Sequence, residues 1–312
     1  MKENQASFTA MSVAYMRAYH SKHATDKIFD DYPAYNLIPY EKIALIENYW
    51  IEQCWTWDQQ LNDTKPTALR SEKAITSKLL TRAAHEFAGI FCSRARYAED
   101  GLEKAVKQGV KQYVILGAGM DTFAFRQPEM MEKLEIFEVD HHATQEFKFH
   151  RLAELGWKHP AKLHFIPIDF TKESLVTALT NSSSYDPKIK SFFNWLGVTC
   201  FLTRAEVFTT LRSIAEVAPA GSIVIFDYLD TNAFIPEKMS PKLQESLEFL
   251  RSIGEPMITG FNPSTLDEAL SNLGFHLHAN LSSADIEERY FQGRTDGYHA
   301  QEQGYFACAV VK

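Results

Sequence analysis

Three absences bound this 312-residue sequence before any motif is considered. Its four cysteines, Cys54, Cys92, Cys200 and Cys308, are far apart and form no CxxC pair, which excludes a zinc ribbon or a thioredoxin-like redox pair and leaves buried free thiols as the ordinary reading. No stretch approaches the roughly 18 uninterrupted apolar residues of a membrane span, so no membrane partner is expected. No lysine/arginine cluster accompanies the net charge of −8, which argues against the basic footprint of a nucleic-acid binder and leaves a small molecule or a protein surface as partner. The first twenty residues mix polar and apolar side chains without the continuous apolar core of a secretory signal, so a cytoplasmic location is the expectation. The sequence does not state an oligomeric order.

What is present divides near residue 105. Residues 1–105 carry alanine, aromatic and long side chains at three- and four-residue spacing, which predicts a helical extension. Its aromatics, Tyr15, Tyr19, Phe29, Tyr32, Tyr35, Tyr40, Tyr49, Trp50, Trp55 and Trp57, fit a core or the wall of an apolar pocket, core being the ordinary reading. From Lys111 short apolar runs alternate with amphipathic stretches, the pattern of strands joined by crossover helices. Strands are predicted at 112–116, 134–139, 163–168, 191–195 and 222–227, and helices near 143–155, 172–180 and 203–217, with Thr203 and Glu206 as a capping box. Helices are further predicted at 241–252 and 264–273, and strands at 275–279 and 304–311, the last joining the sheet edge antiparallel. The expected fold is therefore α/β: a doubly wound, mostly parallel sheet over 106–312 with an antiparallel final strand, an insertion at about 231–262, and the helical extension as a lid.

Three strand ends carry chemistry. Leu116-Gly117-Ala118-Gly119-Met120-Asp121 follows the first strand, and its glycines allow a tight turn and close approach of a ligand, although a plain turn looks the same. Asp140 ends LEIFEVD about twenty residues later, where a carboxylate can accept from both hydroxyls of a ribose. Asp169-Phe170 ends HFIPIDF, pairing an acceptor for an exocyclic amine with a ring for a purine face. In a doubly wound sheet these carboxyl ends share one crevice. A dinucleotide would use a similar turn and acid, but the third fingerprint glycine is replaced by Thr122, and no YxxxK pair is present: four residues after Tyr113 stands Gly117. His141-His142 suggests a metal, but neighbours at a helix start point in different directions and no further ligands follow at suitable spacing, so none is expected.

The blocks VILGAGMDTFAFR, FEVDHHATQEFK, FIPIDF and FFNWLGVTCFLTRAEVFTTLRSIAEVAPAGSIVIFDY, with AYMRAYHS and CSRARYAED upstream, resemble those of the leucine carboxyl methyltransferase-like family, including its bacterial polyketide O-methyltransferase branch. The resemblance covers roughly residues 9–228, with weaker similarity at GEPMITGF and RYFQGR. It implies a class I methyltransferase fold and S-adenosylmethionine as cofactor. It also implies cofactor contacts from Gly117, Ala118, Gly119 and Asp121 around the methionyl part, from Asp140 at the ribose and from Asp169 and Phe170 at the adenine, with Asn194 and Trp195 close by. Arg94 matches an arginine that pairs with the cofactor carboxylate, a task suited to a guanidinium fork; an ion pair with Glu99 or Asp100 is the plain alternative. Protein-directed members carry glutamate where this chain has Leu196, which argues against the C-terminal carboxylate of a protein as acceptor.

The resemblance thus implies methyl transfer to a carboxylate or hydroxyl of a small, largely apolar molecule. No general base is named by the sequence: Arg17, His20 and Tyr228 border the acceptor pocket by analogy, and each equally fits packing or capping. An NAD(P)-dependent oxidoreductase and a noncatalytic binding protein are the competing readings.

Overall fold

The computed structural model describes residues 5–61, 72–239 and 241–312, with side chains described except at 53–61, 72–76 and 241–242, so the side chains of Cys54, Trp55 and Trp57 lie outside the description. The predicted helical extension resolves into α1 (Phe8–His23), the single turn α2 (Ala34–Leu37), α3 (Tyr40–Leu61), α4 (Glu72–Ala83) and α5 (Gly89–Lys107), with a π-helical stretch at Ala84–Ala88 joining the last two. Ser7 caps α1, its hydroxyl accepting the Ala10 N–H. Gly89 restarts the regular helix where a Cβ would stand 2.5 Å from the His299 carbonyl oxygen, so only glycine lets the C-terminal segment approach this closely.

The sheet begins where the hydrophobic pattern changes. Strands β1 (Gln112–Leu116), β2 (Glu135–Asp140), β3 (Leu163–Pro167), β4 (Ser191–Trp195), β5 (Ile223–Leu229), β6 (Phe275–Leu281) and β7 (Gly304–Val311) lie in the order β3-β2-β1-β4-β5-β7-β6. Between them run α6 (Phe123–Arg126), α7 (Pro128–Met131), α8 (His142–Glu154), α9 (Leu175–Thr180), α10 (Arg204–Val217), α11 (Pro241–Ser252), α12 (Leu266–Asn272) and α13 (Ser283–Tyr290). The five strands β1 to β5 are parallel, and β7 pairs antiparallel with both β5 and β6. Alternate residues serve opposite faces: Tyr113, Ile115, Ile136, Phe192 and Ile225 pack toward α1 and α5, while Val114, Leu116, Phe137, Phe193 and Phe226 pack toward α9, α10 and α12. Burial on both faces explains the nearly continuous apolar runs.

Two expectations are corrected. The final strand is antiparallel but interior, because β6 takes the edge and β7 returns between it and β5. Residues 283–290, assigned no element from sequence, form α13, capped reciprocally by Ser282 and Asp285. The Thr203–Glu206 capping box is formed as predicted. No helix among the described residues is long and apolar enough to cross a membrane.

Candidate functional site

The carboxyl ends of β1 to β4 open into one cavity of about 450 Å³. Gly117 and Gly119 turn over it with φ of 67° and 51°, in the left-handed region that disfavours other residues. A Cβ on Gly117 would stand 2.3 Å from Val198 Cγ2, and one on Gly119 3.0 Å from Ala10 Cβ, so the turn fits only as glycine between β4 and α1. Asp140 closes the far side, its Oδ2 accepting the Gly119 N–H at 2.5 Å and its Oδ1 the His141 N–H at 2.6 Å. Burial pushes this carboxyl up to about 6, against the pull of those two donors.

Asp169 and Phe170 line the same cavity after β3. The Asp169 carboxylate accepts from the Thr171 N–H at 3.0 Å and its hydroxyl at 2.6 Å and pairs with Lys172 at 3.2 Å; although its partial burial opposes them, these contacts hold its pKa below the ordinary aspartate range. Asn194 lines it from near the end of β4, its amide donating to Tyr113 Oη at 2.9 Å while its Oδ1 is buried and has no hydrogen-bond partner among the described residues. Asp121 also lines it and accepts the Phe123 N–H at 2.7 Å.

Beneath the turn, the buried Lys148 ammonium bonds the Asp121 carbonyl at 2.7 Å and Glu138 at 2.5 Å. Burial raises the Glu138 carboxyl and Lys148 opposes that rise, so the pair braces the turn from inside the sheet. From above, Arg17 bonds the Met120 carbonyl at 3.0 Å and Asp31 at 2.8 Å, and Asp31 further engages Thr122 and Arg126. Arg126 in turn pairs with Glu99 at 2.5 Å.

A second cavity of about 640 Å³ adjoins the first, and Thr9, Val13, Phe91, Arg94, Gly197 and Phe201 line both. Phe8, Tyr49, Trp50, Phe87, Leu250 and Met257 make its wall apolar. Tyr49 stacks on Phe249 of the insertion at 4.2 Å between ring centres, and Trp50 packs on Phe87 at 4.6 Å. Arg94 stands at the junction. Its Nη1 bonds Asp227 Oδ2 at 2.7 Å, and Asp227 Oδ1 accepts the Gly197 N–H at 2.5 Å, so its partner is neither Glu99 nor Asp100.

Three of the residues singled out from sequence stand elsewhere than expected. Arg17 borders the first cavity and not the second: Thr9, Val13 and Arg17 share one face of α1, and that face reaches the glycine turn at its third position. His20 lines neither cavity; it is fully buried, accepts the Ile28 N–H at 2.9 Å through Nε2 and meets Tyr298 edge-on at 4.7 Å. Burial lowers its pKa to about 4. The Trp195 ring belongs to the core on the α10 face of the sheet and lines neither cavity, because its place in β4 turns it away from Asn194. Tyr228 does line the second cavity, donating to Asn280 Oδ1 at 2.8 Å and stacking on Tyr305 at 5.2 Å; burial raises its phenol, which stays protonated.

Asp227 and Glu255 escaped the sequence reading. Asp227 ends IVIFD as Asp140 ends LEIFEVD, so the same signal was present one residue before Tyr228. Glu255 accepts the Phe8 and Thr9 N–H groups at 2.9 and 3.0 Å and the Ser7 hydroxyl at 3.2 Å, contacts nearly the whole chain apart and without local signature.

A glycine cradle, a desolvated carboxylate at the second strand end and an unpaired buried amide oxygen fit a nucleoside cofactor with a free ribose diol, since a carboxylate keeps lone pairs beyond those used by Gly119 and His141. With the sheet order, they define a class I S-adenosylmethionine-dependent methyltransferase. The sequence profile of leucine carboxyl methyltransferases matches residues 10–215, and the chain belongs to that family. It is 34% identical over the full length of both chains to YktD of Bacillus subtilis (strain 168), named as a candidate S-adenosyl-L-methionine-dependent methyltransferase. Two solved structures share the fold. One is a candidate methyltransferase from Thermobifida fusca (TM-score 0.52, 13% identity, 77% of this chain and 89% of that one). The other is a DUF574 protein from Streptomyces avermitilis (TM-score 0.52, 12% identity, 80% and 93%). The enzyme reading thereby displaces the oxidoreductase and noncatalytic alternatives.

Proposed function

We propose that this enzyme methylates an oxygen, a hydroxyl or a carboxylate, on a small and largely apolar molecule held in the second cavity. The observation that carries this reading is the continuity of the two cavities through Thr9, Val13, Phe91 and Arg94, with aromatic walls on the acceptor side. The oxygen acceptor is taken from the family, whose name describes carboxyl methylation. Bound in the first cavity, the cofactor supplies a methyl group activated on a sulfonium. Gly117, Ala118, Gly119 and Asp121 surround its methionyl part, Arg94 receives its carboxylate, Asp140 takes the ribose, and Asp169 with Phe170 takes the adenine. The chain then has to orient the acceptor oxygen and exclude water, a task that falls to Val13, Phe91 and Phe201 at the junction.

The test is incubation with methyl-labelled S-adenosylmethionine and a panel of apolar phenols, alcohols and acids, followed by extraction and mass analysis. Label in an organic-soluble methyl ether or ester, with matching S-adenosylhomocysteine, is expected. Label found only in protein, or only on nitrogen or carbon, would overturn the proposal.

A further inference from the structure

Resting on the acceptor reading above, we infer that the second cavity selects an uncharged aromatic hydroxyl compound over a carboxylate, and that its acidic lining sets this preference while Arg94 is taken up by Asp227 and the cofactor's carboxylate. The acidic and basic side chains that line this cavity are Glu86, Asp227, Glu287, Glu302, His299 and Arg94, beside the neutral Tyr49, Tyr228, Tyr305 and Cys200, whose pKa values burial raises. Four are carboxylates, and among the described residues that line the cavity the only guanidinium or ammonium is that of Arg94. That guanidinium is committed to Asp227 at 2.7 Å, with the two side chains only 12% and 14% exposed. Glu287 accepts the Ala300 N–H at 2.7 Å, and His299 Nε2 lies 3.9 Å from Glu86. A carboxylate ligand would lose its hydration against an apolar wall and face acidic side chains, and the one guanidinium among the described lining residues is already paired.

A neutral planar ligand meets different terms. Its rings face Phe8, Tyr49, Trp50, Phe87 and Tyr305, where offset or edge contacts reward flat apolar surface. Three hydrogen-bonding groups on residues of this wall, Thr9 Oγ1, Ser12 Oγ and Trp50 Nε1, are buried and without hydrogen-bond partners among the described residues. A side-chain rotation that turns any of them into the cavity would let it donate to an uncharged ligand oxygen without requiring a counter-ion.

The chemistry gives the two acceptor classes different balances. For a hydroxyl, the acceptor oxygen bonds the methyl carbon as the carbon–sulfur bond breaks, the electron pair stays on sulfur, and the hydroxyl proton leaves to solvent. For a carboxylate the same exchange of bonds releases no proton.

The experiment titrates 2-naphthol and 2-naphthoate, which share one ring system, into enzyme loaded with S-adenosylhomocysteine, using calorimetry at pH 7.5. Naphthol is expected to bind at least tenfold tighter than naphthoate, and Asp227→Asn, by removing one lining carboxylate, to narrow that ratio at least threefold. Because Asp227 also accepts the Gly197 N–H, Glu302→Gln at the exposed rim serves as an independent variant and should narrow the ratio in the same direction. With any accepted substrate in weakly buffered solution, one proton per methyl transferred is expected. Equal or tighter naphthoate binding, an unchanged ratio in both variants, or turnover without proton release would overturn the inference while leaving methylation of a small molecule intact. Failure of both probes to bind would overturn the acceptor reading itself, and the inference with it.

Discussion

At the scale of single residues, Asp140 is the most exacting position. Burial pushes its carboxyl from near 4 up to about 6, so the ionised form, the one proposed above to accept from a ribose diol, prevails only above that value. Cofactor affinity should therefore fall about tenfold between pH 7 and pH 5, and Asp140→Asn should bind more weakly and flatten the profile; calorimetry at several pH values checks this. The stability of the free protein runs the other way. Its folded-state pKa is raised, so the favourable contribution from this group is present below about pH 4 and is lost as the pH rises toward about 6. Asp140 and Asp169 were legible because each ends its own apolar strand. The partner of Arg94 was not: Asp227 lies 133 residues away, and sequence proximity pointed to Glu99 and Asp100. His20 was misleading for a related reason, since its helix turns it into the core, where it serves the Ile28 N–H and not a substrate.

At the scale of elements, α1 and the 231–262 insertion close on each other through one carboxylate. Glu255 takes up three donors at the start of α1, where orphan N–H groups and the helix dipole favour an anion, while Ser7, Thr9, Glu255 and Pro256 all line the first cavity. Glu255→Ala should lower stability by about 1–2 kcal/mol and raise the dissociation rate of S-adenosylhomocysteine several-fold in stopped-flow experiments. An unchanged off-rate would show that this contact does not hold the cavity closed. Strands β1 to β5 and helices α8 and α10 were legible to within a residue or two because their apolar periods are strong and Thr203 marks a start. The order of β6 and β7 was not, since it depends on which strand pairs with β5, and both sequences read alike as apolar edge or interior strands.

At the scale of the whole molecule, the sheet buries both faces, so its strand ends form the floor of the first cavity, and the helical extension roofs the second. The parallel core follows from alternating apolar and amphipathic segments, which sequence displays directly. The second cavity does not, because its wall is assembled from α1, α3, α5, α11 and the segment before β7, which only the tertiary fold brings together. The central claim is that the crevice at Gly117, Gly119 and Asp140 holds S-adenosylmethionine, and its most direct test is calorimetric titration of S-adenosylhomocysteine into wild-type enzyme and Asp140→Ala. Micromolar binding, weakened roughly tenfold or more in the variant through loss of a charge-assisted acceptor, is the expected result. No binding to the wild type, or equal binding to both proteins, would contradict the account.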